Sequence, residues 1–249
     1  MWSEAMFSEL QECTTTEVHF ISRCDSETSM STRSMHSHAL RSPVPGFSLL
    51  RPRQPMLWTV YGILGGTFDP PHVAHLAVAH AAFEQMDLDV VRLLPARSPW
   101  QKATRVVTSA KHRWAMCQLA ASEAPYLIAD DTEMKRQGPT YTIDTLDALS
   151  GQPVLILGSD SAVGIPTWHR ADEVLERAVI AVVPRPTVSF DEVTAAIGSS
   201  YTALDMPTLD LSATAIRSHI VAGLTPEFLV PQGVLAYITA NNLYLNRDA

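Results

Sequence analysis

Residues 65 to 75 read Gly-Gly-Thr-Phe-Asp-Pro-Pro-His-Val-Ala-His. An apolar run, Trp58 to Leu64, ends in the glycine pair, a turn follows, and two histidines three residues apart stand where a helix begins. Glycine has no Cβ, so the backbone of Gly65 and Gly66 can approach a ligand closely. The free N–H groups of a helix N-terminus attract phosphate. His72 and His75 fall on one face of the first turn and can reach the same anion. Together these types and spacings suit a nucleotide triphosphate. A glycine pair after a strand is also a common turn, and a His-x-x-His pair can be surface decoration or half a metal site. No cysteine or carboxylate stands nearby at ligand spacing, so a structural zinc is not expected. His80 reads as an ordinary helix residue.

Such a cluster needs strands that end along one edge. Trp58 to Leu64, Val90 to Leu94, Tyr126 to Ala129, Val154 to Leu157 and Val179 to Val183 read as strands. Ala74 to Met86, Ala110 to Ala121 and Tyr141 to Leu149 read as helices between them. Continuous apolar runs alternating with helices predict a parallel sheet covered on both faces. Ser212 is a good N-cap for a helix through His219. Pro231 suits the first turn of a last helix ending near Asn241 and Asn242. The expected fold is α/β, a Rossmann-like doubly wound parallel sheet with a C-terminal helical portion. Ligands of such sheets lie outside the carboxyl ends of the strands, where the first motif falls.

The chain has 249 residues, 46% of them hydrophobic, enough for one sizeable domain. Its net charge is −8, from 18 Lys and Arg against 26 Asp and Glu. An acidic chain lacks the basic footprint of a nucleic-acid binder. No apolar run is long enough to span a bilayer, so no membrane role is expected. Cys13, Cys24 and Cys117 form an odd, scattered set that fits a reducing cytoplasm. Residues 1 to 55 are rich in Ser and Thr, without sustained period, and they read as a disordered extension or a start placed too far upstream. Residues 56 to 249 form the functional domain in this reading. Self-association into a homo-oligomer is left open.

Four segments carry a resemblance. The first motif resembles the phosphate-binding signature of the nucleotidyltransferase superfamily, shared with class I aminoacyl-tRNA synthetases. Leu211-Ser-Ala-Thr-Ala-Ile-Arg217 resembles that superfamily's second signature. Gly138-Pro-Thr-Tyr-Thr-Ile-Asp-Thr-Leu146, and Gly158-Ser-Asp160 followed by Trp168, resemble the bacterial nicotinate-mononucleotide adenylyltransferases. The resemblance runs in order from about Tyr61 to Tyr244. It implies transfer of the adenylyl group of ATP to nicotinate mononucleotide, with Mg²⁺ accompanying the triphosphate. It also departs from the family in two places. Ala74 takes a position that is usually glycine, which would crowd the adenine side of the pocket. Ala213 replaces a serine and removes one hydroxyl contact.

The resemblance assigns roles residue by residue. His72 and His75 would contact the ATP phosphates, His75 being the better placed for charge that grows during transfer. Gly65, Gly66, Thr67 and Phe68 would lie along the nucleotide through their backbone. Ser212 and Thr214 would hold the outer phosphates through helix amides, and Arg217 would fork onto their oxygens. Without the first motif, Arg217 reads as a helix-surface arginine. Lys102 would reach phosphate from a loop, or else is a solvated lysine. Tyr141 and Thr142 would hold the nicotinate carboxylate, and Asp160 a ribose hydroxyl or Mg²⁺. Trp168 would stack on the pyridine ring, or else belongs to the core. Asp144, His112 and Arg113 read as scaffold. Two other readings stay open: a related nucleotidyltransferase, such as a pantetheine-phosphate adenylyltransferase, and a non-catalytic nucleotide sensor.

Overall fold

The computed structural model describes residues 60–97, 107–136 and 138–245. The expected extension, residues 1 to 55, lies outside them, as do Trp58 and Lys102. Six strands form one parallel sheet: β1 (Tyr61–Gly66), β2 (Val90–Pro95), β3 (Leu127–Ala129), β4 (Val154–Gly158), β5 (Val179–Val183) and β6 (Thr202–Ala203). Their order is β3-β2-β1-β4-β5-β6, with every neighbouring pair parallel. The winding reverses between β1 and β4, the switch point where such sheets bind ligands.

The apolar runs are continuous because both faces of the sheet are covered. Side chains alternate along a strand, so neighbouring residues serve opposite cores. In β4, Val154 and Ile156 join one buried cluster, and Leu155 and Leu157 the other. In β5, Ala181 and Val183 join the first, and Ile180 and Val182 the second. The first cluster is closed by α1 (Val73–Gln85), α2 (Ala110–Ala121), α8 (Ala213–Val221) and α9 (Gln232–Ala240). The second is closed by α4 (Thr142–Ala148), α5 (Ser159–Val163), α6 (Ala171–Arg177) and α7 (Phe190–Ile197). Each fully buried aliphatic side chain contributes on the order of 1.5–3 kcal/mol.

The short helix α3 (Thr132–Lys135) and a 3₁₀ turn, Ile165–Thr167, complete the described elements. The predicted elements agree with the observed ones to within a few residues. As the sequence implies, the glycine pair closes β1, where Gly65 and Gly66 pair with Leu94 and Pro95. The turn therefore starts at Thr67. Helices α3, α5, α6 and α7 and strand β6 had not been read from the sequence.

Candidate active site

The chain leaves β1 at Thr67 and turns sharply at Phe68, whose φ of 50° is left-handed. A bulky residue adopts that conformation only where its surroundings hold it. The Phe68 ring is buried in the first core cluster and stands edge-on to His75, with ring centroids 4.8 Å apart. Asp69 follows, with only 2% of its surface exposed. Its Oδ2 accepts from the Thr108 N–H at 3.2 Å and its Oδ1 from the Tyr244 hydroxyl at 2.8 Å. Its backbone carbonyl accepts from Nη1 of Arg217 at 2.6 Å.

His72 is the N-cap of α1 and His75 its third residue. The His72 backbone N–H donates to Nδ1 of His75 at 3.1 Å, and the two rings stack at 3.7 Å. With Nδ1 accepting, the neutral His75 ring carries its proton on Nε2. His72 is buried, and its Nδ1 has no hydrogen-bond partner. Burial, with the nearby Arg185 charge adding to it, lowers its pKa to about 4. His72 is therefore neutral at physiological pH.

Helix α8 faces this turn. Ser212 caps it, its Oγ accepting from the Ala215 N–H at 3.1 Å. Arg217 lies one turn further and is buried, with Nη2 donating to Thr214 Oγ1 at 3.0 Å. Between the two elements lies a cleft of about 460 Å³ whose lining includes His72, His75, Asp160, Arg185, Ser212 and Arg217. Asp160 comes from the carboxyl end of β4 and Arg185 from that of β5. Arg185 Nε is buried without a hydrogen-bond partner and lies 3.9 Å from Asp160 Oδ1. Gly158 makes that approach feasible. A Cβ there would meet Asp160 Oδ1 at 2.5 Å and Arg185 Nε at 2.9 Å.

The structure thus gathers Thr67, Phe68, His72, His75, Asp160, Ser212, Thr214 and Arg217 around one cleft. Gly65 and Gly66 are strand residues and do not line it. Ala74 is buried and stays out of the lining, whereas Ala213 faces the cleft. Tyr141, Thr142 and Trp168 lie outside this lining. Tyr141 caps α4, Thr142 opens it, and the Tyr141 ring lies 4.7 Å from that of His169. Tyr141 and Trp168 pack, half-buried, against the second core cluster.

The three residues read as scaffold each make internal contacts. His112 Nδ1 is 3.0 Å from the Tyr237 hydroxyl, and the Asp144 carbonyl accepts from Arg136 at 2.6 Å. Arg113 is 1% exposed and donates to the carbonyls of Thr108, Thr67, Ala96 and Arg97 at 2.6–2.9 Å. Arg185 and Glu133 were not anticipated. Glu133 is buried in α3 and accepts from Thr145 Oγ1 at 2.8 Å. Burial pushes its pKa up to about 7, against the opposing pull of the Thr145 bond and Arg136. A signal for Arg185 existed: it stands just beyond a buried strand, on the edge where ligands bind. Among the described residues no three His, Cys, Asp or Glu side chains converge as a metal site, and no helix is long and apolar enough to cross a membrane.

A doubly wound sheet with the Thr67–His75 turn at its switch point and an arginine-bearing helix opposite is the arrangement of a nucleotide-binding protein of the nucleotidyltransferase type. The cytidylyltransferase-like family matches residues 63–219. The chain is 40% identical over 193 residues to the probable nicotinate-nucleotide adenylyltransferase of Albidiferax ferrireducens, covering 74% of this chain and 96% of that one. It is likewise 40% identical over 206 residues to the enzyme of that name from Pseudomonas fluorescens, with 74% and 96% covered. Among solved structures, the Plasmodium falciparum nicotinic acid mononucleotide adenylyltransferase complexed with NaAD shares the fold. Its TM-score is 0.63 at 19% identity, with 75% of this chain and 98% of that one covered. The chain belongs to the cytidylyltransferase-like family and, within it, to the nicotinate-nucleotide adenylyltransferases.

Proposed function

We propose that this protein transfers the adenylyl group of ATP to nicotinate mononucleotide, forming deamido-NAD and pyrophosphate. The observation that carries the reading is the cleft joining the Thr67–His75 turn to the N-terminus of α8. A phosphate oxygen of the mononucleotide forms a new bond to the α-phosphorus of ATP. The bond from that phosphorus to the β-bridging oxygen breaks, and pyrophosphate leaves with the electron pair. The attacking oxygen is already anionic, so positioning and charge neutralisation carry the catalysis rather than a strong base.

In this reading His75 donates through Nε2–H to the phosphoryl oxygens, while neutral His72 holds the turn and stacks beneath it. Arg217 and the first amides of α8 hold the outer phosphates. Arg185 supplies a second fixed charge from the β5 side, with Asp160 as its neighbour. Lys102 adds a further cation. Mg²⁺ fits as an ion carried by the triphosphate, since the described residues offer no cage and Mg²⁺ keeps much of its water. It supplies neutralisation of phosphate charge. Tyr141, Thr142 and Trp168 form the nicotinate side. The odd, scattered cysteines fit a cytoplasmic setting.

The test is pyrophosphate release from ATP with nicotinate mononucleotide, run in parallel with nicotinamide mononucleotide. A pocket of N–H donors accepts a carboxylate and opposes an amide's own donors. We expect the acid to be favoured by roughly 10²–10⁴ in kcat/KM. Release with neither acceptor would overturn the function, and equal efficiency would overturn the nicotinate assignment.

A further inference from the structure

The C-terminal turn reaches the phosphate-binding loop through one buried hydroxyl. After α9 the chain doubles back: Asn242 and Tyr244 both take left-handed conformations, with φ of 51° and 65°. The Leu243 N–H returns to the Ile238 carbonyl at 3.0 Å. Two non-glycine residues in that region within three positions persist only where the surroundings fix them. The result of the bend is that the Tyr244 side chain, 3% exposed, enters the first core cluster and donates to Asp69 Oδ1 across 175 residues of sequence.

We propose that Tyr244 is a positioning residue for adenylyl transfer, acting through Asp69 on Arg217. The chain of contacts is short. The Tyr244 hydroxyl holds one carboxylate oxygen at 2.8 Å, and the Thr108 N–H holds the other at 3.2 Å. With its side chain pinned on both oxygens, Asp69 presents its carbonyl to Arg217 Nη1 at 2.6 Å. Arg217 lines the cleft, and neither Tyr244 nor Thr108 does. Burial, together with the Asp69 charge, raises the phenol pKa, so the hydroxyl keeps its proton and donates near neutral pH. A carboxylate accepts only, and the hydroxyl is a donor that holds its rotamer.

The inference rests on the assignment of Arg217 to the triphosphate, and a double-mutant cycle separates the two. Tyr244→Phe keeps the ring and removes the donor. Arg217→Ala alone should lower kcat/KM for ATP by roughly 10- to 150-fold. No change in ATP use there would fault that assignment and the proposal that rests on it, whereas the expected loss there with no loss in Tyr244→Phe would fault the proposal alone. Tyr244→Phe in the native background should lower kcat/KM for ATP by about 10-fold, with KM for nicotinate mononucleotide unchanged. In the Arg217→Ala background the same change should cost little more, because contacts in one network are not additive. An equal loss in both backgrounds would overturn the proposal. So would a lower melting temperature with ATP kinetics intact, which is the mark of a purely structural hydroxyl. Should Tyr244→Phe fail to fold, Asp69→Asn enters the same cycle under the same criteria. ATP affinity, measured by calorimetry without acceptor, gives a readout that does not depend on turnover.

Discussion

The two halves of the proposed site are built differently. On the nucleotide side, groups from α1, from α8 and from the segments that follow β1, β4 and β5 line one cleft, and its loop is held by contacts of buried Asp69 and Arg113. On the acceptor side, Tyr141 and Trp168 are half-buried rings that pack on the second core cluster outside that cleft lining. Their surroundings are tied by exposed ion pairs, Asp147 of α4 meeting Arg170 and Arg177 at the two ends of α6. Exposed pairs contribute little, with a median of about 0–1 kcal/mol. The nucleotide half is fixed by buried polar contacts that have no cheap alternative. The acceptor half is fixed by packing that tolerates adjustment. Substitutions in the two halves should therefore differ in size and in which substrate they affect.

The largest effect is expected on the nucleotide side. His75→Ala removes the Nε2 donor and should lower kcat by ~10²–10³, as the loss of one preorganised donor to developing charge does. Steady-state turnover at saturating substrates checks this, and near-normal kcat would detach the first motif from the chemistry. Trp168→Ala should act on the other half and more weakly. The loss of ring stacking should weaken both mononucleotides by roughly 3- to 10-fold, leave their ratio in place and spare KM for ATP. A collapse of the ratio would mean that the indole contributes to selectivity as well as affinity.

A further effect is on stability alone, and it sharpens the contrast through pH. His72 has a pKa lowered from 6.5 to about 4, so its contribution is present above 6.5 and is lost as pH falls through 4. Glu133 runs the other way. Its pKa is raised from 4.5 to about 7, so its contribution is present below 4.5 and is lost as pH rises through 7. Glu133→Gln is permanently neutral and should match the parent near pH 4. At pH 8 it should exceed the parent by at most about 3 kcal/mol. Urea unfolding at several pH values tests this, and a difference that stays constant with pH would rule out titration of Glu133 as the cause.

The contiguous parts of this molecule were legible before any coordinates. The Gly65–His75 motif and the Ser212 cap are local patterns, and the strands of a doubly covered sheet announce themselves as apolar runs. Helix α7 was equally legible, since Ser189 and Glu192 form a capping box, Ser189 Oγ accepting from the Glu192 N–H at 3.3 Å. Helices α3, α5 and α6 span four to seven residues, too short for a 3.6-residue period to declare itself. What could not be read is whatever depends on distant segments meeting. Arg185 acquires meaning only because β5 ends two strands away from β1 at the same edge. Tyr244 looks like an ordinary C-terminal aromatic until the left-handed turn aims it at Asp69. Arg113 was read as scaffold, and nothing in its own helix says that it gathers four carbonyls.

That gathering has a consequence for how the chain can vary. Ala96, Arg97 and Thr108 are all held by the Arg113 guanidinium, which also holds Thr67. The stretch between Arg97 and Thr108 therefore begins and ends on a single side chain. Its end points are set by α2, whatever lies between them. Lengthening a connection whose ends are already fixed carries only the slow logarithmic loss of chain freedom, about 0.6 kcal/mol per doubling. The buried arginine thus holds Thr67, in the turn where a shift of one ångström would matter, from a helix and not from the neighbouring chain alone.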